Sequence, residues 1–246
     1  MRIDAEKVES VRAFFDCPDN YLNRKRFDIR IRAETAKIFL EGRPCGQMID
    51  IGCGDGSVSL PLLTPQRHLT LLDVSPNMLT LARGRVPSSL AVNVAFRQED
   101  FLKASLEAQS FDVVICLGVL AHVASPNDVI RKAAALLKPG GTLVLECTDS
   151  FHFVRRLTSL SSYIVAPFRG LPHRLNRLSG LQVLGLAAQH GFELRDTFRY
   201  SWPPPGSQRV FSQDALYRMI RTIFGDARSN RNQRLGFEYI FCLSRR

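Results

Sequence analysis

Residues 48–57 read Met-Ile-Asp-Ile-Gly-Cys-Gly-Asp-Gly-Ser, and the rest of the predicted architecture is arranged around this stretch. An apolar strand that contains Asp50 runs into a turn with glycines at positions 52, 54 and 56. Glycine suits such a turn because the chain bends sharply and because the missing Cβ lets a ligand approach the backbone. The stretch therefore predicts a strand, a ligand-binding turn and then a helix over 57–63.

The spacing of the glycines indicates which ligand the turn holds. A dinucleotide-binding fingerprint has the pattern Gly-x-Gly-x-x-Gly, whereas here position 57 is Ser57 and the third glycine comes one residue early. The acid two residues before the first glycine suits a ligand with an ammonium group better than a bare pyrophosphate. These features favour the amino-acid end of S-adenosylmethionine, and they disfavour an NAD dehydrogenase, for which we also find no hydride-site motif.

The composition is that of an ordinary globular protein. The 246 residues, 45% hydrophobic and 23% charged, suffice for one large domain or for one core with a small lid. No apolar run approaches the ~18 residues of a membrane span. The charged N-terminus predicts a cytoplasmic rather than a secreted protein, and the six scattered cysteines predict a reducing compartment and no metal site.

The positive charge is concentrated in the last part of the chain. Residues 150–246 contain fifteen arginines, five acidic residues and no lysine, and thus account for the whole net charge of +10. Arginine favours planar recognition of carboxylate and phosphate groups. Two interpretations stay open: a solvated basic surface, or an anionic partner such as an acidic substrate, an acidic carrier protein, a lipid surface or nucleic acid.

The order of apolar patterns predicts four segments. Residues 1–46 form a helical N-terminal cap, 47–149 an α/β core, 150–180 a helical lid, and 181–246 the remainder of the core. Val154, Leu157, Ser161 and Ile164 share one helical face of the lid, although a surface-seeking amphipathic helix is the alternative. The predicted strands cover 47–51, 68–73, 94–98, 111–117, 142–146, 192–200 and 237–243, with a turn at Lys138–Gly141 before the fifth. Beyond 57–63, one predicted core helix begins at Ser75-Pro76, a second begins at Ser125-Pro126 and covers 126–137, and two more cover 178–190 and 213–224.

Ligands of an open parallel sheet bind at the carboxyl ends of the strands, where several polar residues stand. Asp73 follows Asp50 at the offset of an acid that takes ribose hydroxyls, although it could simply be tied to the Ser75 turn. Asp100, with Phe101 behind it, is placed to accept from an adenine amino group or is an ordinary loop residue. The side chains predicted to sandwich the adenine are Val74 and Met78, the latter with a core position as its alternative.

Six stretches in family order carry a resemblance to a known group of enzymes. Residues 50–56, Asp73, the Glu99-Asp100 turn and the runs 111–116, 120–123 and 137–143 resemble the class I S-adenosylmethionine-dependent methyltransferases. They are most similar to the ubiquinone/menaquinone-type branch (methyltransferase type 11), which acts on small molecules. The resemblance implies a Rossmann-like seven-stranded sheet, mostly parallel, in which the last strand runs antiparallel beside strand five.

The resemblance also implies roles for individual residues. Gly52, Gly54 and Gly56 would cradle the methionine part of the cofactor, and Asp50 and Cys53 of the same stretch would also contribute to cofactor binding. Asp73 would hold the ribose, and Leu117 would contribute its backbone carbonyl. The N-terminal helices and the segment after strand five would close over the substrate.

The acceptor side is less well marked in the sequence. Methyl transfer is an in-line displacement that needs alignment and a dry site, and it needs a base only for a protonated acceptor. His122 is a candidate base or positioning residue, with a structural histidine at a helix start as its alternative, and Arg26 or Arg30 is a candidate partner of the cofactor carboxylate unless it lies on an exposed helix face. The other candidates for the acceptor pocket are Tyr21, Asp149, His152, Tyr163 and His173, and those for anion binding are Arg155, Arg156, Arg169, Arg174 and Arg177.

The sequence thus favours an O- or N-methyltransferase that acts on a small, acidic metabolite. An RNA methyltransferase is the alternative suggested by the basic C-terminal part. It is disfavoured because strand four ends in Cys116-Leu-Gly-Val rather than in the tetrapeptide used for base amines. A protein that binds S-adenosylmethionine without catalysis is the third hypothesis.

Overall fold

The computed structural model describes residues 2–17, 26–157, 175–204 and 206–246, and a seven-stranded sheet lies at its centre. The strands are β1 Gln47–Ile51, β2 His68–Asp73, β3 Val94–Gln98, β4 Phe111–Cys116, β5 Leu137–Thr148, β6 Phe192–Tyr200 and β7 Glu238–Arg245. Their spatial order is β3-β2-β1-β4-β5-β7-β6. Strand β7 pairs antiparallel with β5 and β6, whereas the other neighbours are parallel. The predicted Rossmann-like sheet is therefore confirmed.

Besides a helical stretch at 153–157, six helices accompany the sheet within the described ranges: α1 Arg2–Phe15, α2 Arg26–Phe39, α3 Pro76–Arg85, α4 Pro126–Leu136, α5 Gly180–Gln189 and α6 Gln213–Phe224. Serine side chains accept the N–H group three residues ahead at the starts of α3, α4, α5 and α6. Proline follows the cap in α3 and α4, where its missing N–H costs nothing. These capping groups explain why the predicted starts at Ser75 and Ser125 are confirmed.

Two apolar cores cover the two faces of the sheet. Consecutive residues of a strand point to opposite faces, so Val113 belongs to one core and Val114 to the other. The first core includes Ile31 of α2 and Ile220 of α6, and the second includes Ile130 of α4. The middle of β4 is buried on both sides, as its continuous apolar sequence predicts.

The predicted helix over 57–63 is wrong. Only Leu60–Leu62 form a short 3-10 helix, and the residues before it make turns. Two side-chain bonds hold this different path: Ser59 Oγ donates to Asp50 at 2.6 Å, and Ser57 Oγ donates to Asp55 at 2.9 Å. Short polar side chains that bond locally in this way compete with the helical backbone.

Strand β5 is longer than predicted, because it begins at Leu137 and includes the segment expected to be only a turn. The pairing with β4 jumps from Phe111↔Leu137 to Val113↔Thr142, so the residues between bulge out of the ladder. Gly140 accommodates the bulge with a φ of +77°, a left-handed conformation that favours glycine.

The predicted lid and cap are described only in part. Residues 153–157 are helical, while Ser161 and Ile164 lie outside the described residues. The predicted boundaries of cap and lid stay predictions. Among the described helices, none combines the length and the apolar character needed to cross a bilayer.

Candidate functional site

A cavity of about 1330 Å³ opens at the carboxyl ends of the central strands. This volume exceeds the range of roughly 300–1,000 Å³ that is usual for one small ligand, so it offers room for two. Eight of the residues predicted to bind the cofactor line this cavity: Gly52, Gly54, Asp73, Val74, Met78, Asp100, Phe101 and Leu117.

The glycine turn after β1 forms one end of the cavity. Gly52 and Gly54 both have left-handed φ values, +66° and +55°. The Gly54 N–H donates to Asp73 Oδ2 at 2.8 Å, and the Gly52 N–H donates to the Leu72 carbonyl at 2.8 Å. No heavy atom lies within 4 Å of the place where a Cβ of Gly54 would stand. The turn thus leaves a cradle against which a ligand can approach the main chain.

Asp73, at the end of β2, is fixed by the backbone around it. Its carboxylate accepts from Gly54 N–H and from Ser75 N–H at 2.9 Å, and only 8% of the residue is exposed. Burial raises the pKa of Asp73, while the hydrogen bonds from these backbone groups oppose the rise. A carboxylate can accept about four hydrogen bonds, so this arrangement leaves capacity for the two hydroxyls of a ribose.

Three residues predicted for the cofactor stand outside the cavity lining: Asp50, Cys53 and Gly56. Burial raises the pKa of Asp50 to about 7 despite its bond to Ser59, and burial also raises the pKa of the Cys53 thiol. A Cβ on Gly56 would come within 2.6 Å of Leu60. These three residues therefore support the conformation of the turn and do not line the cavity.

The loop that carries Asp100 and Phe101 is held by a residue that the sequence analysis missed. Lys132 of α4 donates from Nζ to the carbonyls of Phe101 and Ala104, both at 2.5 Å, and lies 5.0 Å from the centre of the Phe101 ring. Burial lowers the pKa of Lys132. Because Lys132 lies 31 residues from Phe101 in the sequence, no local sequence pattern predicts this contact.

Helix α1 covers the cavity with apolar side chains. Val8, Val11, Phe14 and Phe15 line it, and the Phe15 ring meets His122 edge-on with centroids 5.5 Å apart. The end of the helix is attached to the start of α3, where Ser75 Oγ donates to Asp16 Oδ1 at 2.6 Å and Asn77 Nδ2 donates to the Asp16 carbonyl at 2.8 Å. Both His122 and α1 therefore belong to the cavity wall.

A largely buried polar group, which we call the Arg32 cluster, consists of Asp28, Arg32, Glu146, Tyr200 and Trp202. Arg32 grips Glu146 with two contacts, Nε to Oε1 at 2.9 Å and Nη2 to Oε2 at 2.8 Å. Arg32 Nη2 also lies 3.2 Å from Asp28 Oδ2. Asp28 Oδ1 accepts from the Tyr200 hydroxyl at 2.6 Å and from Trp202 Nε1 at 3.1 Å. Of the five, Arg32, Glu146 and Trp202 line the cavity.

Sequence reasoning missed this cluster and named other arginines of α2. Arg30 is exposed and pairs with Glu34 at 3.0 Å, and Arg26 is exposed as well. A signal was present, since Asp28 and Arg32 are four residues apart on the face that also carries buried Phe27 and Ile31. Charged residues on the apolar face of a helix indicate a buried pair.

The predicted substrate residues fall into three groups. Arg155, Arg156 and Arg177 line the cavity, whereas Asp149 and His152 make structural contacts. The Asp149 carboxylate accepts from Phe151 N–H at 2.9 Å and from Gly180 N–H at 3.2 Å, while His152 Nε2 lies 3.1 Å from the Arg234 carbonyl and burial lowers its pKa. Tyr21, Tyr163, Arg169, His173 and Arg174 lie outside the described residues.

A further organising residue, Asn176, ties the returning chain to the loop after β4. Its side-chain amide donates to the carbonyls of Leu120 at 2.8 Å and Val123 at 2.7 Å. Its own N–H donates to the Ala121 carbonyl at 2.8 Å. These three bonds bracket His122 and hold its loop at the cavity.

Comparison with known proteins identifies the family. Residues 44–177, more than half of the chain, match a family model described as a methyltransferase domain. The chain belongs to the methyltransferase-domain family. The predicted resemblance to class I S-adenosylmethionine-dependent methyltransferases and the predicted cofactor are thereby confirmed.

Curated proteins with similar sequences include O-methyltransferases of ubiquinone biosynthesis. The chain is 35% identical over 118 residues to the ubiquinone biosynthesis O-methyltransferase of Xanthomonas campestris, a match that covers 48% of each protein. The chain thus spans about half the length of the curated relatives that it matches first. This similarity agrees with the family assignment, but it does not identify the substrate of this chain.

Two solved structures share the fold of this methyltransferase-family chain. A possible histamine N-methyltransferase from Thermotoga maritima matches with a TM-score of 0.68 and 17% identity, covering 98% of this chain and 100% of its own. The magnesium protoporphyrin IX methyltransferase of Synechocystis PCC 6803, bound to S-adenosylhomocysteine, matches with a TM-score of 0.65 and 18% identity, covering 98% and 100%. At this identity the likeness establishes the fold alone.

Proposed function

We propose that this protein transfers the methyl group of S-adenosylmethionine to an oxygen or nitrogen atom of a small, acidic molecule. The observation that carries the proposal is that one cavity joins the glycine turn and Asp73 to a second region lined by Arg155, Arg156 and Arg177. Donor and acceptor can therefore occupy one continuous space. Names of relatives that are O-methyltransferases support oxygen as the acceptor atom.

The donor end fits the cofactor in its chemistry. Gly52 and Gly54 would hold the methionine part, Asp73 the ribose, and Asp100 with Phe101, Val74 and Met78 the adenine. Leu117 would contribute its carbonyl from the end of β4. Asp50, Cys53 and Gly56 would act by keeping the turn in shape. When bound, S-adenosylmethionine supplies an electrophilic methyl group on a positively charged sulfur.

The protein's own contribution is alignment and the exclusion of water. The apolar face of α1 covers the cavity, and an apolar cover favours an in-line displacement by keeping the reacting atoms together and dry. His122 lies in the loop that follows β4, and its ring contacts the Phe15 ring of α1. In this position it would orient the acceptor or take its proton. The part of the acceptor that carries the acid would lie beside the arginines.

The cofactor half of the proposal is tested by calorimetry with S-adenosylhomocysteine. Replacing Asp73→Asn should weaken binding by about 10- to 100-fold, since a hydrogen bond to a charged group contributes about 1.5–3 kcal/mol. Asp214→Asn is the control, because its side chain is 84% exposed and far along the chain from the turn. Binding of NAD without binding of S-adenosylhomocysteine would refute the proposal, and tight binding without turnover would identify a non-catalytic protein.

The acidic-substrate half needs a separate comparison. Turnover of aromatic acids and of their neutral amides is measured for the double variant Arg155→Ala/Arg156→Ala, with exposed Arg218→Ala as the control. The kcat/KM of the acids should fall by about 10-fold or more, since each charged hydrogen bond contributes about 1.5–3 kcal/mol, while that of the amides changes little. Equal losses for acids and amides would reject an anionic substrate.

A further inference from the structure

We infer that Lys132 of α4 is a positioning residue for the adenine of the cofactor, because it fixes the loop after β3, residues 99–104, so that Asp100 meets the amino group of the base. Lys132 is not one of the residues that line the cavity, so it acts through this loop. The inference rests on the proposed function and deepens it. It adds a residue that determines which base the donor site accepts.

The first support is the way in which the loop surrounds the ammonium group of Lys132. Three main-chain carbonyls converge on Lys132 Nζ: those of Phe101 and Ala104 at 2.5 Å and that of Leu102 at 3.3 Å. An ammonium group has three donors, so these carbonyls match its whole donor capacity. The main chain of the loop thus forms a binding site for one cation, and a side chain from a distant helix supplies that cation.

The second support is that the same loop forms part of the cavity wall, to which Asp100 and Leu102 both belong. The Asp100 carbonyl accepts from the N–H groups of Lys103 and Ala104, each at 2.9 Å. The Asp100 carboxylate accepts from Leu102 N–H at 3.0 Å. The backbone that Lys132 holds is therefore also the backbone that orients the Asp100 carboxylate.

The third support is the rigidity of the elements that Lys132 joins. Its neighbours Ile130 and Ala133 in α4 are buried in the second core, and Phe101 of the loop belongs to the same core. Lys132 Nζ lies 5.0 Å from the centre of the Phe101 ring, a distance at which a cation is attracted to an aromatic face. Binding groups are held most precisely when packing fixes the residues that support them. The contact therefore sets the position of the loop relative to the sheet.

The charges around Lys132 agree with this role. Burial lowers the pKa of Lys132, and the negative charges of Asp100 and Glu99 oppose this shift. The start of the loop is also tied to the ribose acid, since Glu99 N–H donates to the Asp73 carbonyl at 3.1 Å. Asp73 keeps its own bond to the glycine turn, at Gly54. A displaced loop should therefore affect recognition of the adenine more than recognition of the ribose.

The test compares two ligands by calorimetry: S-adenosylhomocysteine and S-inosylhomocysteine, in which an oxygen replaces the amino group of the base. The unaltered protein should bind the adenine ligand about 10- to 100-fold more tightly, because a carboxylate accepts a hydrogen bond from the amino group and repels the oxygen. In Lys132→Met this preference should fall to about 3-fold or less, because methionine cannot donate to the three carbonyls. A merely structural Lys132 would weaken both ligands equally and leave the preference unchanged.

Three further variants locate the origin of the preference. Lys37→Met is the control, because Lys37 is an exposed lysine of α2, and it should keep the preference of the parent. Lys132→Arg keeps the charge but replaces a compact ammonium group by a planar fork, so its preference should lie between those of the parent and Lys132→Met. Asp100→Ala should abolish the preference, and adding Lys132→Met to it should change the preference no further, as expected for two residues that act as one unit.

Three results overturn the inference: a parent that binds both ligands equally, a folded Lys132→Met variant that keeps the preference of the parent, or an Asp100→Ala variant that keeps it. If Lys132→Met does not fold, Lys132→Arg decides by the same ratio of affinities, and an unchanged ratio overturns the inference. A parent that binds neither ligand refutes the proposed function itself, and that result differs from the others because each of them requires binding.

Discussion

The two ends of the cavity are held by different kinds of contact. At the donor end, Asp73 is bonded to the backbone N–H of Gly54, which lies 19 residues away. In the Arg32 cluster, side chain bonds to side chain over long distances, 114 residues from Arg32 to Glu146 and 172 from Asp28 to Tyr200. The turn at the donor end is a local structure, whereas the Arg32 cluster forms only when distant parts of the chain come together.

This difference indicates where each end is vulnerable. A site held by backbone groups tolerates many side chains but not a change at a residue with a left-handed φ. A site held by buried charges depends on each charge, since removing one partner leaves the other uncompensated. The effects of replacements should therefore differ between the two ends. At one end they change the backbone conformation, and at the other they remove a buried charge.

The largest effect is expected for Arg32→Met. This change removes the buried guanidinium that pairs with Asp28 and Glu146, and breaking such a pair costs about 3–5 kcal/mol. Urea denaturation should show this loss in the free energy of unfolding. Arg30→Met on the same helix is the control and should cost less than about 1 kcal/mol, because the Arg30 side chain is 54% exposed. Equal costs would mean that the Arg32 cluster does not depend on its buried charge.

The pH dependence of the free energy of unfolding should report on Asp50, a buried acid of the donor end whose pKa is strongly raised. Burial raises the pKa of Asp50 from 3.8 to about 7, so the folded protein holds this proton where the unfolded chain has lost it. The stability from the neutral carboxyl is complete below about pH 4 and is lost as pH rises through 7, by up to about 4 kcal/mol. Asp50→Asn should remove this slope in urea denaturation from pH 4 to 8.

The matched control for the slope is Asp214→Asn. Its side chain is 84% exposed, so the slope should stay as in the parent. If the pH dependence of the free energy of unfolding were unchanged in Asp50→Asn, Asp50 would be ionised in the folded protein. Buried charge would then be present at both ends of the cavity.

Gly52→Ala should have an intermediate effect. Gly52 has a φ of +66°, and a Cβ would come within 2.6 Å of Val119, so alanine should cost about 1–3 kcal/mol and weaken S-adenosylhomocysteine binding. Gly84→Ala is the control, because it lies inside α3 with no atom within 4 Å of a new Cβ. That change should stabilise the protein by up to about 1 kcal/mol in thermal or urea denaturation. Similar results for both glycines would contradict the importance of the left-handed turn.

The smallest effect is expected where the cover meets the donor end. Asp16→Ala removes the bond from Ser75 but keeps the main-chain contact with Asn77, which should cost about 1 kcal/mol and weaken S-adenosylhomocysteine by about 5-fold. Exposed Glu9→Ala in α1, the helix that ends just before Asp16, should leave the calorimetric affinity as it is. A loss in Glu9→Ala as large as that in Asp16→Ala would assign the effect to α1 as a whole.

The donor end could be predicted from sequence because its parts lie close together in the chain. Glycines at fixed spacing, the acid Asp73 and the Ser75-Pro76 cap are local signals, and the strands between them follow from apolar runs. The same local reasoning failed at 57–63, where the polar bonds of Ser57 and Ser59 override helix formation.

The Arg32 cluster could not be predicted in the same way. Glu146 appears in the sequence only as the end of an apolar strand, and its partner Arg32 belongs to a helix that precedes the whole sheet. Lys132 and Asn176 were missed for the same reason, since they act on loops far away in the chain. The alternation of charge and apolar residues in α2 was the one usable clue.

The anchoring of residues 149 and 178 has a consequence for the evolution of the family. Asp149 and Leu178 form a parallel bridge, and Ser150 N–H donates to the Leu178 carbonyl at 2.9 Å. The intervening stretch thus leaves and rejoins the core at adjacent points, and doubling the length of such an excursion costs only about 0.6 kcal/mol. Insertions or exchanges between residues 150 and 177 should therefore cost the core little stability, and they leave the glycine turn and Asp73 unchanged.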